Sequence, residues 1–452
     1  METKNFEIKI QNFKTQVWLH VYQSENVSLK DIMIELKNQG ISFGLNKLIL
    51  KRLTEENFPY GEYLIAEGST PINGEDARVE CMVTITPPPL EVAINSESSN
   101  YFPVRITNVR KGQRLFRITK STEGVPGYNV FGEEIPAIKG KNTYFTKGRN
   151  IDYDEGQNYL IATKDGNFVY EGSDAHVETD YYVNGDLSIV NGQLIEFYGN
   201  LIVQGDIRIG ITIKVDGNLT VNGAVEDAVI ECGGTVDVKG GFRGNGRGRV
   251  VSDGDIKFLH GHNYTITSRS NMIIGKIAMN CNLTAKSIES PMGSICGGST
   301  LAFKKIEIQS LGRESYSKTT VAIAGKLNHM ILSNERDTEI SNILRKVQLC
   351  ESKLSYLSKT KDNRALSRDQ EENIYVVKLA YEQLNDLLYK RRHEKEELQH
   401  ELRGISLKLL VHGTIYESVH LMMNDIDIPI VENVSNVMFT EKDYRITRGK
   451  NF

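Results

Sequence analysis

Hydrophobic and polar residues alternate in short runs from residue 183 to about residue 310, and each run follows a glycine. The repeating unit is glycine, a small or polar residue, an apolar residue, a polar residue and a second apolar residue. It occurs in the segments VNGDLSI, YGNLIV, VQGDIRI, VDGNLTV, VNGAVE, CGGTVDV and SDGDIKF. Alternation with a period of two is typical of β-strands, because successive side chains point to opposite faces. The sequence therefore predicts many short strands separated by glycine turns.

The spacing of these glycines is regular. Gly199 and Gly217 are 18 residues apart, as are Gly205 and Gly223, and Gly217 and Gly234 are 17 apart. Short strands at a fixed period predict a parallel β-solenoid, in which each coil buries its inward face against its neighbours. We expect about seven coils, at roughly one strand spacing each, with structural corners at Gly185, Gly199, Gly205, Gly217, Gly223, Gly234 and Gly254.

The alternation also predicts which side chains face the interior of the solenoid. They are the apolar residues that follow each glycine: Leu187 and Ile189, Leu201 and Val203, Ile207 and Ile209, Leu219 and Val221, Val236 and Val238, and Ile256 and Phe258.

The apolar period changes to 3.5 between residues 333 and 404. Apolar residues step by three and four along residues 340–357 and again along 374–388, and the polar segment KTKDNRALSRDQ separates the two arms. Two heptad arms joined by a polar loop predict an antiparallel coiled-coil hairpin, and its nearly balanced charge suits a solvated, protruding element. Solenoid-like alternation resumes around Gly413, so we expect the hairpin to be inserted into the solenoid. The alternative is that residues 405–452 form a separate capping β-hairpin.

Two segments precede the solenoid. Residues 1–75 are typical of a small α+β unit, with a helix that Ser28 caps and that ends at Gly40. Residues 76–182 are β-rich. The predicted fold class is thus mainly β, in five segments: 1–75, 76–182, 183–332 as the β-helix, 333–404 as the hairpin, and 405–452 as a return to the β-helix with a C-terminal β segment.

Composition and charge argue against several classes of protein. The chain has 452 residues and a net charge of −4, which argues against a dedicated nucleic-acid binder. It contains no apolar run of about 18 residues that could span a membrane and no signal-peptide core. The five cysteines never form a CxxC pair, which favours reduced thiols over a disulfide frame or a zinc site. We therefore expect a cytoplasmic protein.

Three motifs could indicate a phosphate or metal site, but each lacks part of the pattern that such a site needs. The glycine-rich segment 121–136 lacks the Lys-Ser/Thr and the following helix of a phosphate loop, and the acidic loop 152–155 lacks the further ligands of a calcium loop. His260 and His262 have no third ligand at metal-binding spacing. We expect no cofactor and no metal.

A carbohydrate-active β-helix enzyme, a lyase or hydrolase acting on acidic polysaccharide, is the alternative function. It would need paired carboxylates with a nearby cation. Asp186, Asp206 and Asp255 follow the corner glycines, but Asn200 and Asn218 take the same position elsewhere, which is typical of turns. The interpretation as structural corners is therefore favoured.

A glycine-rich loop, GGFRGNGRGR, carries Arg243, Arg247 and Arg249. Such a loop can follow a phosphate backbone or an acidic protein face, or form a solvated corner. The sequence leaves its role open.

The order of the segments resembles the flagellar assembly protein A (FapA) family of bacteria. The matching segments include GISFGL, LIAEGSTPINGEDARVE, GVPGYNVFGEEI, VDGNLTVNGAVEDAVI and VKGGFRGNGRGRV. The resemblance implies an N-terminal mixed domain, a right-handed β-helix, a helical coiled-coil region and no catalytic residue. It also implies protein partners, such as the enzyme IIA of the sugar phosphotransferase system or flagellar assembly factors.

We therefore expect a non-enzymatic scaffold that acts in flagellar or cell-envelope assembly. Tyrosine and basic residues often anchor protein interfaces, and the hairpin carries such residues. The expected partner-binding residues are Tyr356, Tyr389, Lys390, Arg391 and Arg392. Homo-oligomerisation is left open.

Overall fold

The structure is a computed structural model, and it divides the chain into two compact units. One unit comprises residues 1–83, 114–146 and 153–160, and the second comprises 84–113, 147–152 and 161–452. Side chains of residues 325–335, 358–361 and 398–401 are not described. The structure describes residues 5–22, 28–52, 60–85, 106–143, 145, 147–156, 158–172, 174–188, 194–314, 318–361, 367–401, 406–424, 426–442 and 445–450.

Among the residues described before the solenoid, the elements are short strands and two helices. They are β1 (Phe6–Gln11), β2 (Gln16–Val21), α1 (Leu29–Asn38), α2 (Lys47–Arg52), β3 (Gly61–Glu67), β4 (Arg78–Cys81), β5 (Asn108–Val109), β6 (Arg114–Thr119), β7 (Gly127–Tyr128), β8 (Glu134–Ile135), β9 (Ile151–Tyr153), β10 (Tyr159–Ala162), β11 (Gly166–Glu171) and β12 (Asp174–Glu178).

The first unit contains an antiparallel sheet, β1-β2-β3, with α1 packed on it. The helix begins after Ser28, as predicted, and the Ser28 hydroxyl accepts a hydrogen bond from the backbone N–H of Lys30. Its apolar stripe buries Ile32 and Leu36 against the sheet residues Leu19 and Ile65. A small α+β core therefore forms where the sequence predicts one.

The second unit contains a parallel β-solenoid. Its strands are β13 (Asp180–Val183), β14 (Leu194–Phe197), β15 (Asn200–Val203), β16 (Thr212–Val215), β17 (Leu219–Val221), β18 (Ala224–Glu226), β19 (Val229–Cys232), β20 (Val236–Val238), β21 (Gly241–Arg243), β22 (Arg249–Ser252), β23 (Ile256–His262), β24 (Thr265–Ser268), β25 (Asn271–Leu311), β26 (Thr319–Ile323), β27 (Leu407–Ile415) and β28 (Val419–Met423).

Each coil of the solenoid contributes three strand positions. In one coil they are β17, β18 and β19, and these pair in parallel with β20, β21 and β22 of the next coil. β25 is a continuous extended run that bends through successive coils. There are about eight coils, one more than predicted, because the parallel ladder continues after the hairpin through β27 and β28.

The predicted inward residues form the solenoid core, with one exception. Leu201, Val203, Leu219 and Val221 are fully buried. The expectation for Ile209 is wrong, because this side chain is 59% exposed. Ile207 pairs with Val225, which places Ile209 at the corner after the strand and not in it. Ile189 lies outside the described residues.

Two long helices follow the strand β26. They are α3 (Gly325–Lys361) and α4 (Arg368–Glu401). The helix α3 begins directly after β26 and eight residues earlier than the boundary at residue 333, which was set from the heptad stripe. The buried seam between the helices contains Ile340, Ile343, Val347 and Leu388.

The register of the flanking strands shows where the helical pair leaves the solenoid. Ile323 pairs with Ala302, and Lys408 pairs with Lys305. Only two residues separate Ala302 from Lys305 in the preceding coil. Since Ile323 and Lys408 lie one strand spacing above them, both ends of the helical pair meet at one corner of a coil.

The last elements cover the end of the solenoid. They are β29 (Ile426–Ile428), β30 (Val434–Lys442) and β31 (Arg445–Lys450). β30 pairs antiparallel with β27, and β31 pairs with β30, so the segment after the hairpin both continues the parallel ladder and ends in an antiparallel hairpin. At the other end, the Asn108 side chain donates to the carbonyl of Glu196 and accepts from the N–H of Tyr198. The short sheet that contains β5 thus adjoins the first coil.

Candidate functional site

The corner glycines form stacked columns along the solenoid. Gly217 donates its N–H to the carbonyl of Gly199 at 3.0 Å, and Gly234 and Gly254 continue the ladder at 2.9 Å each. Gly185, Gly205 and Gly223 form a second column in the same way, with donor–acceptor distances of 3.0 and 3.1 Å. A Cβ on Gly217 would lie 2.4 Å from the Asn200 side-chain oxygen, so only glycine fits without displacement of the neighbouring coil.

The acidic and amide side chains at the corners are acceptors for backbone groups. One Asp206 oxygen accepts from the N–H of Ala224, and the Asn218 oxygen accepts from the N–H of Thr235, both at 2.8 Å. The N–H of Asp206 and the Arg208 guanidinium hold the pKa of Asp186 below its ordinary value. Asp186 is therefore an ionised acceptor, and both carboxylates join neighbouring coils.

A polar groove of about 390 Å³ lies along one face of the solenoid. An enzyme would need a cleft with carboxylates and a cation, and this groove contains Glu231, Asp216 and Asp253. Each of these carboxylates is paired: with Lys214 at 3.2 Å, with Arg110 at 2.5 Å and with Arg269 at 2.7 Å.

Asp253 has the wrong protonation behaviour for a general acid. Burial alone would raise the pKa of Asp253, but its hydrogen bond from Arg391 and the charges of Arg391, Arg269 and Arg336 outweigh burial and lower it. A general acid in a glycosidase needs a raised pKa. The groove thus contains ion pairs that join structural elements, and it gives the enzyme interpretation no support.

The root of the helical pair is joined to the solenoid by charged side chains. Arg391 of α4 donates to Asp253 at 2.7 Å, and Arg269 bridges Asp253 and Glu339 of α3 at 2.7 and 2.6 Å. Arg391 and Asp253 are only 16% and 22% exposed. The heptad pattern has charged residues at seam positions here, and the structure shows why: Arg391 pairs with the solenoid, and Lys395 pairs with Asp337.

A second contact lies nearer the tip of the helical pair, at the loop 110–113. Tyr375 donates its hydroxyl to the carbonyl of Gly112, and Gln383 donates to the carbonyl of Lys111 at 3.2 Å. A Cβ on Gly112 would lie 2.8 Å from Leu379, so the helix packs closely on this loop. The expectation of a protruding hairpin is therefore wrong for α4, which lies against its own unit along one face.

These contacts use two sides of α4. Tyr375, Leu379 and Gln383 lie on the loop, and Tyr381, Leu384 and Leu388 lie in the seam with α3. Two heptads along from Tyr375 and Leu379, the same side of α4 carries Tyr389 and His393, whose rings stack at 6.4 Å. There, nearer the root, both side chains are exposed.

The structure does not bring the five expected partner-binding residues into one patch. Tyr389, Lys390 and Arg392 are exposed near the root of the pair, and Tyr389 is 76% exposed. Tyr356 is 73% exposed but lies near the tip. The pairing of Tyr381 with Glu351 and of Lys395 with Asp337 sets the helix register, which puts the two tyrosines about 20 Å apart along the helix axis. Arg391 is used within the chain and is not available to a partner.

Sequence reasoning missed the residues that hold α4 in place. Asp253, Arg269 and Gly112 belong to segments far from the hairpin in the chain. The one signal is the presence of Arg391 and Lys395 at heptad seam positions, where a charged side chain needs a charged partner.

Two negative observations concern the residues that the structure describes. Among them, no three His, Cys, Asp or Glu side chains are grouped as a metal site would require. Nor does any helix in this part of the chain combine the length and hydropathy needed to cross a bilayer.

Comparison with protein families gives two matches that together cover nearly the whole chain. Residues 6–173 match the Flagellar Assembly Protein A N-terminal region, and residues 179–446 match the Flagellar Assembly Protein A beta solenoid domain. Searches of curated proteins and of solved structures gave no significant match.

Proposed function

Because the chain belongs to the Flagellar Assembly Protein A family, we propose that it is a non-enzymatic cytoplasmic scaffold that binds protein partners through the exposed face of α4. The solenoid acts as a rigid support for the helical pair. The proposed role lies in flagellar or cell-envelope assembly. The first partners to test are a phosphotransferase-system enzyme IIA and a flagellar assembly factor.

One observation carries the proposal: α4 is held in the seam with α3 and on the loop 110–113, and the exposed face nearer its root carries Tyr389 and Lys390, with Arg392 exposed beside it. The two contacts, at Asp253 and at Gly112, fix the rotation of the helix. A rigid helix that presents a tyrosine and two cations loses little conformational entropy on binding, which favours interface formation. The charged pairs at the root are thus a means of positioning this face.

The columns of corner glycines and Asx residues are poor candidates for the same role. Their glycines and Asx side chains are occupied by the backbone ladder. An interface needs a bulky anchor, and the corner columns provide none.

The test is affinity capture with the purified chain as bait. We expect proteins from a lysate of the source cells, and purified glucose-specific enzyme IIA as a defined candidate, to be retained by the intact chain. Tyr389→Ala should weaken binding by more than about 1 kcal/mol, since this is the usual threshold for an anchor residue. Tyr182→Ala is the matched control, because Tyr182 is an exposed tyrosine of the first coil.

Three outcomes would contradict the proposal. They are equal effects of the two tyrosine substitutions, full binding by a chain whose helical pair is replaced with a linker, and hydrolysis or elimination on an acidic polysaccharide by the purified chain. Tyr356→Ala distinguishes the tip from the root and should have little effect if the α4 face near Tyr389 is the site.

A further inference from the structure

One corner of the solenoid is longer than its neighbours. Two residues connect β18 to β19, whereas five residues, 244–248, connect β21 to β22 in the next coil. The strands on either side keep their parallel register, because Ala224 pairs with Gly241 and Val229 with Arg249. The three additional residues therefore form a loop that leaves the ladder undisturbed.

The backbone of this loop is held by a buried aspartate and a buried tyrosine. The buried Asp227 carboxylate accepts from the N–H of Asn245 at 2.9 Å and from the N–H of Gly248 at 3.0 Å, and Asp227 itself has a left-handed φ of 35°. The Tyr264 hydroxyl donates to the carbonyl of Ala228 at 2.6 Å. A Cβ on Gly248 would lie 2.0 Å from the Tyr264 ring, so the loop backbone packs directly on it.

The loop presents arginines that the fold does not use. Arg243, Arg247 and Arg249 are exposed, and none forms an ion pair with a residue that the structure describes. Arg208, two coils earlier in the same column as Arg243, is different: it contacts Asp186, Asp206 and Glu226 at 2.7 to 3.1 Å. Glu226, the nearest acid to Arg243 in the ladder, is thus already paired.

We propose that this loop, residues 243–249, is a docking site for an acidic protein segment, separate from the α4 face. Arginine forms bidentate hydrogen bonds with carboxylates, and a loop that is already ordered loses little entropy on binding. Single-stranded nucleic acid would need aromatic rings for base stacking, but Phe242 and Tyr264 at this corner are buried. Three cations also bind a phosphate backbone only weakly.

The experiment measures binding of a fluorescein-labelled oligoglutamate peptide to the full chain by fluorescence anisotropy at low and physiological salt. Replacing Arg243, Arg247 and Arg249 together with alanine should raise the Kd by about tenfold or more, the sum expected for three exposed ion pairs. Replacing the same three with lysine should restore only part of the affinity, since lysine keeps the charge and loses the planar fork. The matched control replaces Lys257, Lys276 and Arg445, which are exposed and equal in charge.

Several results would overturn the proposal. An equal loss in the control variant would mean that the peptide responds to net charge only. Full rescue by lysine would exclude bidentate recognition, and tighter binding of an oligothymidine than of oligoglutamate would assign the loop to nucleic acid. The three arginines are exposed, so an unchanged melting temperature should accompany the loss of binding, and the Tyr389 variant should bind the peptide as the unmodified chain does.

Discussion

Arg391 joins the helical pair to the solenoid, and its removal is the most direct test of how α4 is positioned. In Arg391→Ala, Asp253 loses its hydrogen bond from α4 but keeps the one from Arg269 at 2.7 Å. Glu394, which also accepts from Arg391 at 2.9 Å, keeps a contact with Arg336 at 3.2 Å. The substitution therefore weakens the network without leaving a carboxylate wholly unpaired.

The magnitude follows from the exposure of the pair. A fully exposed ion pair contributes about 0.2–1 kcal/mol, and removing one partner of a fully buried pair destabilises by about 3–5 kcal/mol. Arg391 and Asp253 are 16% and 22% exposed, and Arg269 remains to compensate Asp253. We expect a loss of about 2 kcal/mol, which corresponds to about 30-fold in the equilibrium constant for unfolding of the helical pair.

The measurement is urea unfolding followed by circular dichroism at 222 nm, where the two long helices supply most of the signal. Free energies are extrapolated linearly for the unmodified chain, Arg391→Ala, Asp253→Asn and the double variant, which completes a double-mutant cycle. Arg392→Ala is the matched control. It makes the same change of residue type one position along the helix, at an exposed arginine without an ion pair among the described residues.

Two results would refute this reasoning. One is an Arg392→Ala effect as large as that of Arg391→Ala, since an exposed substitution should stay within about 0.5 kcal/mol. The other is a coupling energy between Arg391 and Asp253 below about 0.5 kcal/mol, the range of independent sites.

Three further predictions address the fold. Leu219→Asp should unfold several coils together and lower the melting temperature strongly, because a buried unpaired charge costs several kcal/mol. The control Thr220→Asp changes the next residue, on the outward face, and should leave the melting temperature nearly unchanged. Equal effects of the two substitutions would place Leu219 outside the core. Replacing residues 325–405 with a short Gly-Ser linker should leave the solenoid folded, as judged by dispersed NMR signals, because the flanking strands meet at one corner; an insoluble or molten product would contradict this. The pKa of Asp253 is lowered in the folded state. Its ion pairs therefore stabilise the fold fully above the ordinary pKa of about 4, and this stabilisation is lost as the pH falls through the lowered value. The free energy of unfolding of the helical pair should fall on acidification in the unmodified chain and should fall less in Asp253→Asn.

The sequence predicted the features that depend on local periodicity. Alternation identified Leu201, Val203, Leu219 and Val221 as core residues, because every coil repeats the same inward positions. It failed at Ile209, where an apolar residue follows the pattern but the strand has already ended. A corner is set by the length of chain between strands, and alternation does not report that length.

The site depends on contacts between segments that are distant in the chain, and local patterns carry little information about these. Exposed tyrosines and arginines on α4 were found, but nothing in the heptads indicates that Gly112 lies beneath Leu379 or that Asp253 meets Arg391. Consequently Arg391 was grouped with Tyr389 as a partner residue, although its guanidinium is used within the chain.

The corner at which the helical pair leaves the solenoid has a consequence for folding kinetics. Between Ile323 and Leu407 lie 83 residues, and closing an unstructured loop of that length instead of a two-residue corner would raise the entropic barrier by about 3 kcal/mol. Helices form on a much shorter timescale than non-local strand pairs. Early association of α3 with α4 would bring β27 beside β26 and remove most of this barrier, so that the last coils join the ladder almost as quickly as coils with ordinary corners. Substitutions in the seam at Ile343 or Val347 would then slow the completion of the solenoid without altering any of its strands.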